Sequence, residues 1–316
     1  MPKYTPIDIS KVRTMSVHDR ICKVTTDLAA RPWTPGESFS FFLESMPDAL
    51  AASDLRDLIR LIADAVYSER PVIAMMGAHV IKVGLAPVII DLMESGILSG
   101  IALNGAGAIH DIELAYFGKT SEDVADLLPD GRFGMARETA EILNGAVAEG
   151  ARESLGFGEA VGKRVVRDNP HHIHHSILGK GSMTGIPVTV HVAIGTDIVH
   201  QHPSADGAAI GSTTLRDFYI FAENLSKIHN GGVVLLFGSA VILPEVFLKA
   251  LTVARNVHGN ITDFTTASFD MIRHYRPHEN VVRRPVQAGG RGMTFTGHHE
   301  ILIPMLAAAI KEAVSK

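Results

Sequence analysis

The chain has 316 residues, 46% of them hydrophobic and 20% charged, so it can bury a large core, which excludes an intrinsically disordered protein. Its formal net charge of -5 excludes the overall basic character of nucleic-acid-binding proteins. The single cysteine, Cys22, excludes an intramolecular disulfide, and no apolar stretch reaches the roughly 20 residues that span a bilayer. We therefore expect a cytoplasmic protein that binds neither nucleic acid nor membrane.

Hydrophobic spacing predicts an N-terminal arm followed by one alternating α/β domain. Residues 1–47 mix prolines, charges and phenylalanines, and we expect an irregular arm that docks on the body or on a neighbouring subunit. Residues 48–316 are expected to form a single domain. Its predicted helices are 49–68, 82–94, one from about 109, then 135–155, 208–228, 243–257 and 301–314. Its predicted strands are 71–76, 100–104, 187–194, 232–237 and 261–267.

Two glycine-rich segments are predicted as turns. Residues 179–185 look superficially like a phosphate-binding loop, but they precede a predicted strand instead of following one. Residues 289–292 read Gly-Gly-Arg-Gly and favour a turn between strands.

Apolar strands separated by helices predict a parallel sheet that helices cover on both faces. In such a sheet, ligands bind beyond the carboxyl ends of the strands, where the strand order reverses. The loops that follow the five predicted strands all contain small or polar residues, which indicates a ligand-binding edge. These loops are 77–79, 104–111, 195–197, 238–240 and 265–270.

The segment 104–113 is the strongest site candidate, because a glycine-bearing turn is followed at once by titratable side chains. Gly105 and Gly107 would let the backbone approach a cofactor closely. His110, Asp111 and Glu113 arrive just beyond the turn. The alternative is an ordinary strand-to-helix connection in which the polar residues cap the helix.

Short motifs between residues 71 and 309 resemble, in the same order, those of deoxyhypusine synthases. The early part has a glycine-bearing loop at 77–84 and then Asn-Gly-Ala-Gly-Ala-Ile-His-Asp at 104–111. The later matches are Ile-Pro-Val at 186–188, Ser-Ala-Asp-Gly at 204–207, Thr-Thr-Ala-Ser-Phe-Asp at 265–270, Arg-Pro-His-Glu at 276–279 and Thr-Gly-His-His-Glu-Ile-Leu-Ile-Pro at 296–304. The resemblance implies a Rossmann-like three-layer parallel sheet of the deoxyhypusine synthase NAD-binding type. It also implies a homotetramer with sites at subunit interfaces.

The same resemblance implies which residues border the ligands. The expected NAD contacts are Gly77, Asn104, Gly105, Ala106, Gly107, Asp206, Gly238, Thr266, Ala267 and Asp270. Glu279 matches a carboxylate that holds the substrate amine. The arginine group around Arg283 suits a clamp on a substrate carboxylate, and the alternative is a solvated charged edge.

One departure from the deoxyhypusine synthase pattern concerns its lysine. That family forms an imine on the lysine of a Trp-Gly-Lys motif, whereas residues 280–286 read Asn-Val-Val-Arg-Arg-Pro-Val and no lysine occurs from 251 to 310. Arginine does not form a Schiff base, because its guanidinium stays protonated. The chain is therefore not expected to be a true deoxyhypusine synthase.

Residues 104–121 are also similar to a segment of the archaeal-type ornithine cyclodeaminases, the LOR/SDH proteins. In that family the segment reads Ala-Val-His-Asp-Ile-Glu, followed by Phe-Gly-Thr-Ser. This resemblance implies NAD chemistry on an amino acid. We expect His110 to act as the acid or base, with Asp111 or Glu113 orienting it or holding a cationic amine. A second candidate catalytic group lies in the last loop, directly before the predicted helix 301–314, and consists of His298, His299 and Glu300.

These features predict an NAD-dependent enzyme that acts on a small amine or amino acid by transient hydride transfer. One alternative is a non-catalytic or regulatory NAD-binding protein. Another is a metal-dependent enzyme that uses the histidine-rich region 171–202, although we favour no metal. Its candidate ligands, which could equally be acid-base, substrate-binding or plain surface histidines, are His172, His175, His191 and His200.

Overall fold

The computed structural model describes residues 3–315, which divide into two compact units between Ser53 and Asp54. Residues 1, 2 and 316, which belong to the predicted arm and domain, lie outside the described residues. The first unit contains the helix α1 (Phe39–Ser45) and three single 3-10 turns, at Ile9–Lys11, Val17–Asp19 and Thr26–Leu28. The extent of the arm, 1–47, stays a prediction.

The second unit is built on one sheet of six parallel strands. The strands are β1 (Val72–Met76), β2 (Gly100–Asn104), β3 (Val188–His191), β4 (Val233–Phe237), β5 (Phe264–Asp270) and β6 (Gly290–Thr296). Their order is β3-β2-β1-β4-β5-β6, so the winding reverses between β1 and β4. Met75 of β1 stands beside Ala102 on one side and Leu236 on the other. The predicted Rossmann-like α/β fold is confirmed.

Helices follow the strands throughout the chain. The remaining helices are α2 (Leu50–Tyr67), α3 (Ala78–Lys82), α4 (Ala86–Glu94), α5 (Gly105–Phe117), α6 (Val124–Leu127), α7 (Arg137–Arg152), α8 (Phe157–Asp168), α9 (Ile177–Thr184), α10 (Gly207–Ser226), α11 (Ile242–His258), α12 (Tyr275–Pro277) and α13 (His299–Val314). Shorter turns occur at Ile173–His175, Ile198–Gln201 and, as a π-helical turn, at His278–Arg283. Within residues 3–315, every helix is too short or too polar to cross a membrane.

The central strand β1 shows why the sheet is covered on both faces. Ile73 and Met75 pack with Phe221 of α10 and Phe247 of α11 in one apolar cluster. Ala74 points to the opposite face, because successive side chains of a strand alternate, and it is also buried. A strand that is apolar on both faces is stable only between two helical layers.

The turn predicted at residues 289–292 is wrong for residues 290–292, which begin the sixth parallel strand. The alternating residues Met293 and Phe295 are buried and hold β6 on the sheet. A Cβ at Gly292 would overlap the carbonyl oxygen of Val282, so close backbone packing explains a glycine that otherwise signals a turn.

The turn predicted at residues 179–185 is also wrong, because these residues form most of α9. The helix ends at Gly185, which adopts the left-handed conformation with φ 74°. The helix α8 was not predicted, since Gly158 and Gly162 interrupt its apolar spacing. A Cβ at Gly158 would overlap the carbonyl oxygen of Val188, so this glycine lets the helix approach β3.

The helix predicted at residues 82–94 corresponds to α4, which begins at Ala86, whereas α3 occupies the end of the loop predicted at 77–79 and the residues that follow it. Gly84 has φ 81° and breaks the helical path after α3. Pro87 lies in the first turn of α4, where its missing N–H leaves no hydrogen bond unmade.

Candidate active site

Helix α5 begins directly at the carboxyl end of β2. The side-chain oxygen of Asn104 accepts the backbone N–H of Gly107 at 2.9 Å, which starts the helix at Gly105 instead of near residue 109. The capping interpretation therefore holds for Asn104. His110 and Glu113 consequently lie one turn apart on a regular helix, where their side chains are neighbours.

A cavity of about 830 Å³ lies beyond the carboxyl ends of β2 and β3. This volume falls within the roughly 300–1,000 Å³ that small-molecule sites occupy. Five lining residues come from one side of α5, at positions 106, 109, 110, 113 and 117. The other lining residues are Lys82, Lys119, Thr120, Ser121, Glu122, Val124, Phe133, Ala136, Glu138, Thr139, Thr196, Asp197 and Ile198. Of the site residues predicted from the sequence, the structure brings Ala106, His110 and Glu113 together here.

A chain of hydrogen bonds holds the two titratable groups of α5. Nδ1 of His110 lies 2.6 Å from Oγ1 of Thr120. The Thr120 hydroxyl donates to Oε2 of Glu113, and the Thr139 hydroxyl donates to Oε1 of Glu113 at 2.9 Å. Both threonines lie outside α5, so the carboxylate is fixed from two further segments.

His110 is neutral at physiological pH. Burial and, to a smaller extent, the nearby charge of Lys82 together lower the pKa of its imidazole to about 4. Its side chain is 16% exposed, so one part of the ring still reaches the cavity. A neutral imidazole beside bound substrate is able to accept a proton.

Asp197 is a buried carboxyl group in the wall of the cavity. Burial raises the pKa of Asp197 to about 6. Its carboxylate fills the space beside Gly105, where a Cβ would overlap Oδ2. The absence of a side chain at Gly105 therefore makes room for Asp197.

His200 stabilises the loop that presents Asp197. Its Nδ1 accepts the backbone N–H groups of Gly195 at 3.1 Å and Asp197 at 3.3 Å. Because Nδ1 accepts both hydrogen bonds, it is not available to a metal ion. His200 therefore contributes to the site by shaping this loop.

Lys82 at the end of α3 reaches the same cavity and was not predicted. Its side chain is exposed and makes no ion pair or hydrogen bond within residues 3–315. The sequence did contain a signal, because Lys82 lies five residues after Gly77 in the segment that leaves β1. A cationic group that is not neutralised by the protein is available to an anionic group of a ligand.

The cavity wall carries more acidic than basic groups. Its four acidic residues face only two lysines, with His110 neutral. The acidic groups are Glu113, Glu122, Glu138 and Asp197, and the basic groups are Lys82 and Lys119. This balance favours a ligand that bears a positive charge together with an anionic group.

Asp111 points away from this cavity into the protein. Its carboxylate accepts the Ser176 hydroxyl at 2.5 Å and the backbone N–H groups of Ile177 at 2.7 Å and Leu178 at 3.4 Å. It thus caps the start of α9 from a neighbouring helix. Burial raises the pKa of Asp111 to about 7 against these hydrogen bonds. Asp111 therefore has a structural role at the start of α9.

The point of strand reversal, between β1 and β4, is closely packed. A Cβ at Gly77 would overlap the carbonyl oxygen of Gly238, and a Cβ at Gly238 would overlap the ring of His299. The rings of His79 and His299 lie 5.4 Å apart. Both glycines are thus required by packing within the protein.

This edge nevertheless offers groups that suit a dinucleotide. Nε2 of His299 lies 3.1 Å from the carbonyl oxygen of Phe269, which only accepts, so Nε2 carries the hydrogen. Nδ1 of His299 is buried and has no partner within residues 3–315, and it suits a ribose hydroxyl. No side chain caps the first turn of α3, whose N–H groups suit a diphosphate. Nδ1 of His299 and the first turn of α3 are therefore the groups at this edge that a cofactor would contact.

The other predicted cofactor contacts lie away from the large cavity. The loop predicted at residues 265–270 is wrong, because these residues form β5. Thr266 and Ala267 are buried within that strand, and the Thr266 hydroxyl donates to the carbonyl of Val281 at 2.8 Å. Asp206 accepts two backbone N–H groups at the start of α10. Asp270 ends β5, half-buried, on the strand next to β4.

The predicted substrate residues Glu279 and Arg283 bind each other. Nε of Arg283 lies 2.9 Å from Oε2 of Glu279, and Nε of Arg284 lies 3.4 Å from the same oxygen. These guanidinium groups lower the pKa of the Glu279 carboxyl. His298 and Glu300 are exposed at the start of α13 and lie 3.7 Å apart, outside the large cavity.

The histidine-rich region is spread over several environments. His172 and His175 are half-buried at the two ends of a short turn, with ring centroids 6.5 Å apart. His191 is buried in β3 against Phe221, and burial lowers its pKa to about 3. No group of three or more metal-ligating side chains occurs within residues 3–315.

Comparison with known proteins defines the fold. No protein-family model matches the chain, and no curated protein matches it. Solved structures do match. AgrE in complex with ornithine and NAD+ gives a TM-score of 0.53 at 13% identity over 86% of this chain and 35% of that one. The chain spans about a third of the length of AgrE and of the cyanobacterial arginine dihydrolase ArgZ.

Two other solved structures belong to the kinds of protein that the sequence resembles. A protein assigned to the LOR/SDH type from Methanococcus maripaludis S2 gives a TM-score of 0.50 at 12% identity over 93% of this chain and 74% of that one. A protein assigned as a deoxyhypusine synthase from Entamoeba histolytica gives 0.51 at 11% identity, over 89% and 95%. The resemblance is confirmed for the fold.

Proposed function

We propose that the chain is an NAD-dependent enzyme that acts on a small amine or amino acid by transient hydride transfer and is not a true deoxyhypusine synthase. The observation that carries the proposal is the cavity beside β2, where neutral His110 and buried Asp197 share an acidic wall. The shared fold with AgrE, which was crystallised with ornithine and NAD+, supports it.

The chain's own residues would act at two places, one that holds the cofactor and one that binds the substrate. The start of α3 and Nδ1 of His299 would hold NAD, whose chemistry when bound is reversible hydride acceptance. Helix α3 leads from that edge to Lys82, which would bind a carboxylate of the substrate in the cavity. The acidic groups of the wall would bind the substrate amine.

His110 and Asp197 form the acid–base pair of the proposed reaction. Their environments move the pKa of His110 down to about 4 and that of Asp197 up to about 6. His110 is then the proton acceptor at neutral pH, and the protonated fraction of Asp197 is the donor. Two lysines, Lys82 and Lys119, line the cavity with this pair. No lysine stands where the deoxyhypusine synthases form their imine.

The proposal is tested in two steps. Chromatography of the nucleotide released on denaturation, or calorimetric titration with NAD when none is released, should show that NAD binds. Incubation with ornithine, arginine or a simple diamine should then yield product, and His110→Asn should remove turnover while NAD still binds. Absence of NAD by both measurements contradicts the proposal. Binding without turnover of any amine or amino acid would favour a regulatory NAD-binding protein instead.

A further inference from the structure

The imidazole of His110 reaches the carboxylate of Glu113 only through a hydroxyl group. Nδ1 of His110 lies 3.9 Å from Oε2 of Glu113, too far for a hydrogen bond. The Thr120 hydroxyl stands between them, 2.6 Å from Nδ1, and donates to Oε2. Thr120 belongs to the segment beyond the end of α5, so the helix alone does not make this contact.

The number of protons available in this series of hydrogen bonds, from His110 through Thr120 to Glu113, fixes the direction of each bond. A threonine hydroxyl has one proton to donate and two lone pairs, and a carboxylate only accepts. Both oxygens of Glu113 accept hydroxyl protons, one from Thr120 and one from Thr139. The Thr120 proton is therefore committed to Glu113, and the hydrogen between Oγ1 and His110 must come from Nδ1.

We propose that Thr120 is a positioning residue that, with Glu113, fixes His110 in the tautomer with hydrogen on Nδ1 and a lone pair on Nε2. Nε2 makes no hydrogen bond within residues 3–315, and the ring lines the cavity. The lone pair is consequently available to a ligand. Without this contact the ring would be free to adopt the other tautomer, whose Nε2–H donates and does not accept.

The inference deepens the proposed function but is tested without NAD or substrate. It assigns His110 the role of proton acceptor by structure, since an Nε2 lone pair is the form that removes a proton from a bound amine or carbon acid. The low pKa of His110 supports it, because the ring stays neutral at pH 7. A tautomer is measured directly on the free protein.

The test is heteronuclear NMR of the full chain labelled with 15N-histidine, at pH 7. The two ring nitrogens of a neutral histidine have well-separated 15N shifts, and the His110 signals are assigned by their loss in His110→Asn. We expect the Nδ1–H form in the wild type and in Thr120→Ser, which keeps the hydroxyl. In Thr120→Val, which removes the hydroxyl at similar size, we expect the Nε2–H form to become the major one.

Two further variants distinguish positioning from a general disturbance. Thr139→Val removes a hydroxyl from the same carboxylate without touching His110, and the Nδ1–H form should remain. Glu113→Gln supplies an amide that donates to Thr120, which frees the Thr120 proton for Nδ1, so the Nε2–H form should appear. The Nε2–H form in the wild type, or an unchanged Nδ1–H form in both Thr120→Val and Glu113→Gln, overturns the inference. Failure of NAD to bind would leave these spectra unaffected and would count only against the proposed function.

Discussion

The carboxylate of Asp197 occupies the space in which a side chain at Gly105 would begin. Asp197 follows β3 and Gly105 follows β2, and these strands are adjacent, so the contact joins two loops at the same edge of the sheet. Because Asp197 is buried and lines the cavity, its place depends on the missing Cβ.

Gly105→Ala should therefore destabilise the protein, although alanine normally favours a helix. Overpacking of a filled site costs about 1–3 kcal/mol, and denaturant unfolding measures it. The matched control is Gly211→Ala within α10, where a Cβ meets nothing within 4 Å. That variant should be stabilised by about 0.5–1 kcal/mol. Equal effects of the two substitutions would show that the space beside Gly105 is not filled as described.

Asp197→Asn should change how stability depends on pH. Burial raises the folded-state pKa from 3.8 to about 6, so the folded protein holds this proton more tightly than the unfolded chain. The wild type therefore loses stability as pH rises between these values, whereas asparagine does not. Each pH unit corresponds to about 1.4 kcal/mol, so the variant should gain about 3 kcal/mol relative to the wild type between pH 3.5 and 7. Unfolding at a series of pH values measures it, and a constant difference would contradict the burial of this carboxylate.

His110→Asn should lower turnover by about 100- to 10,000-fold, the usual contribution of a general base. The thermal stabilisation by NAD should be unchanged, because the groups proposed to hold NAD lie at the start of α3 and in α13. The control is His174→Asn, which alters an exposed histidine of the short turn 173–175. Steady-state kinetics with whichever amine or amino acid the wild type turns over measure this effect, and near-normal activity of His110→Asn would remove this residue from the mechanism.

Lys82→Gln should raise the pKa of His110, because it removes the nearby positive charge that helps to lower it. The pKa should stay below 6.5, since burial is the larger cause. An NMR titration of the His110 ring measures this shift. With an amino-acid substrate, KM should increase more than kcat falls, because the lost contact is to the carboxylate. Lys163→Gln, on the exposed surface of α8, is the control, and the same shift in both variants would exclude a specific effect of Lys82.

The sequence predicted the fold better than it predicted the site. Five strands and most helices follow from apolar spacing, whereas β6 was missed because its glycines look like a turn. Their missing Cβ atoms leave room for the carbonyl oxygens of Phe264 and Val282. Within the site, His110 and Glu113 were predicted because they follow a strand. Asp111, one residue from His110, turned out to cap another helix. Adjacent helical residues face different neighbours, and the sequence does not reveal which neighbours those are.

The missing parts of the site are contributed by distant segments. Thr139 contacts Glu113 from 26 residues away, and Lys82 arrives from the segment after another strand. Such contacts depend on how α5 and α7 pack against each other. Local sequence patterns carry no information on that packing. The homotetramer and the cytoplasmic location stay predictions.

The single row of cavity residues along α5 has a consequence for how this protein could change its specificity. Ala106 and Phe117 are the apolar residues of that row that are not buried, while Ile109 on the row and Asp111 and Ile112 on the other side are buried in the body of the protein. Variation of Ala106 and Phe117 would reshape the cavity without removing a proton-transfer group, a helix cap or a core residue. A small library restricted to these codons would thus sample new ligands on an intact scaffold, whereas a library over the whole helix would mostly yield unfolded chains.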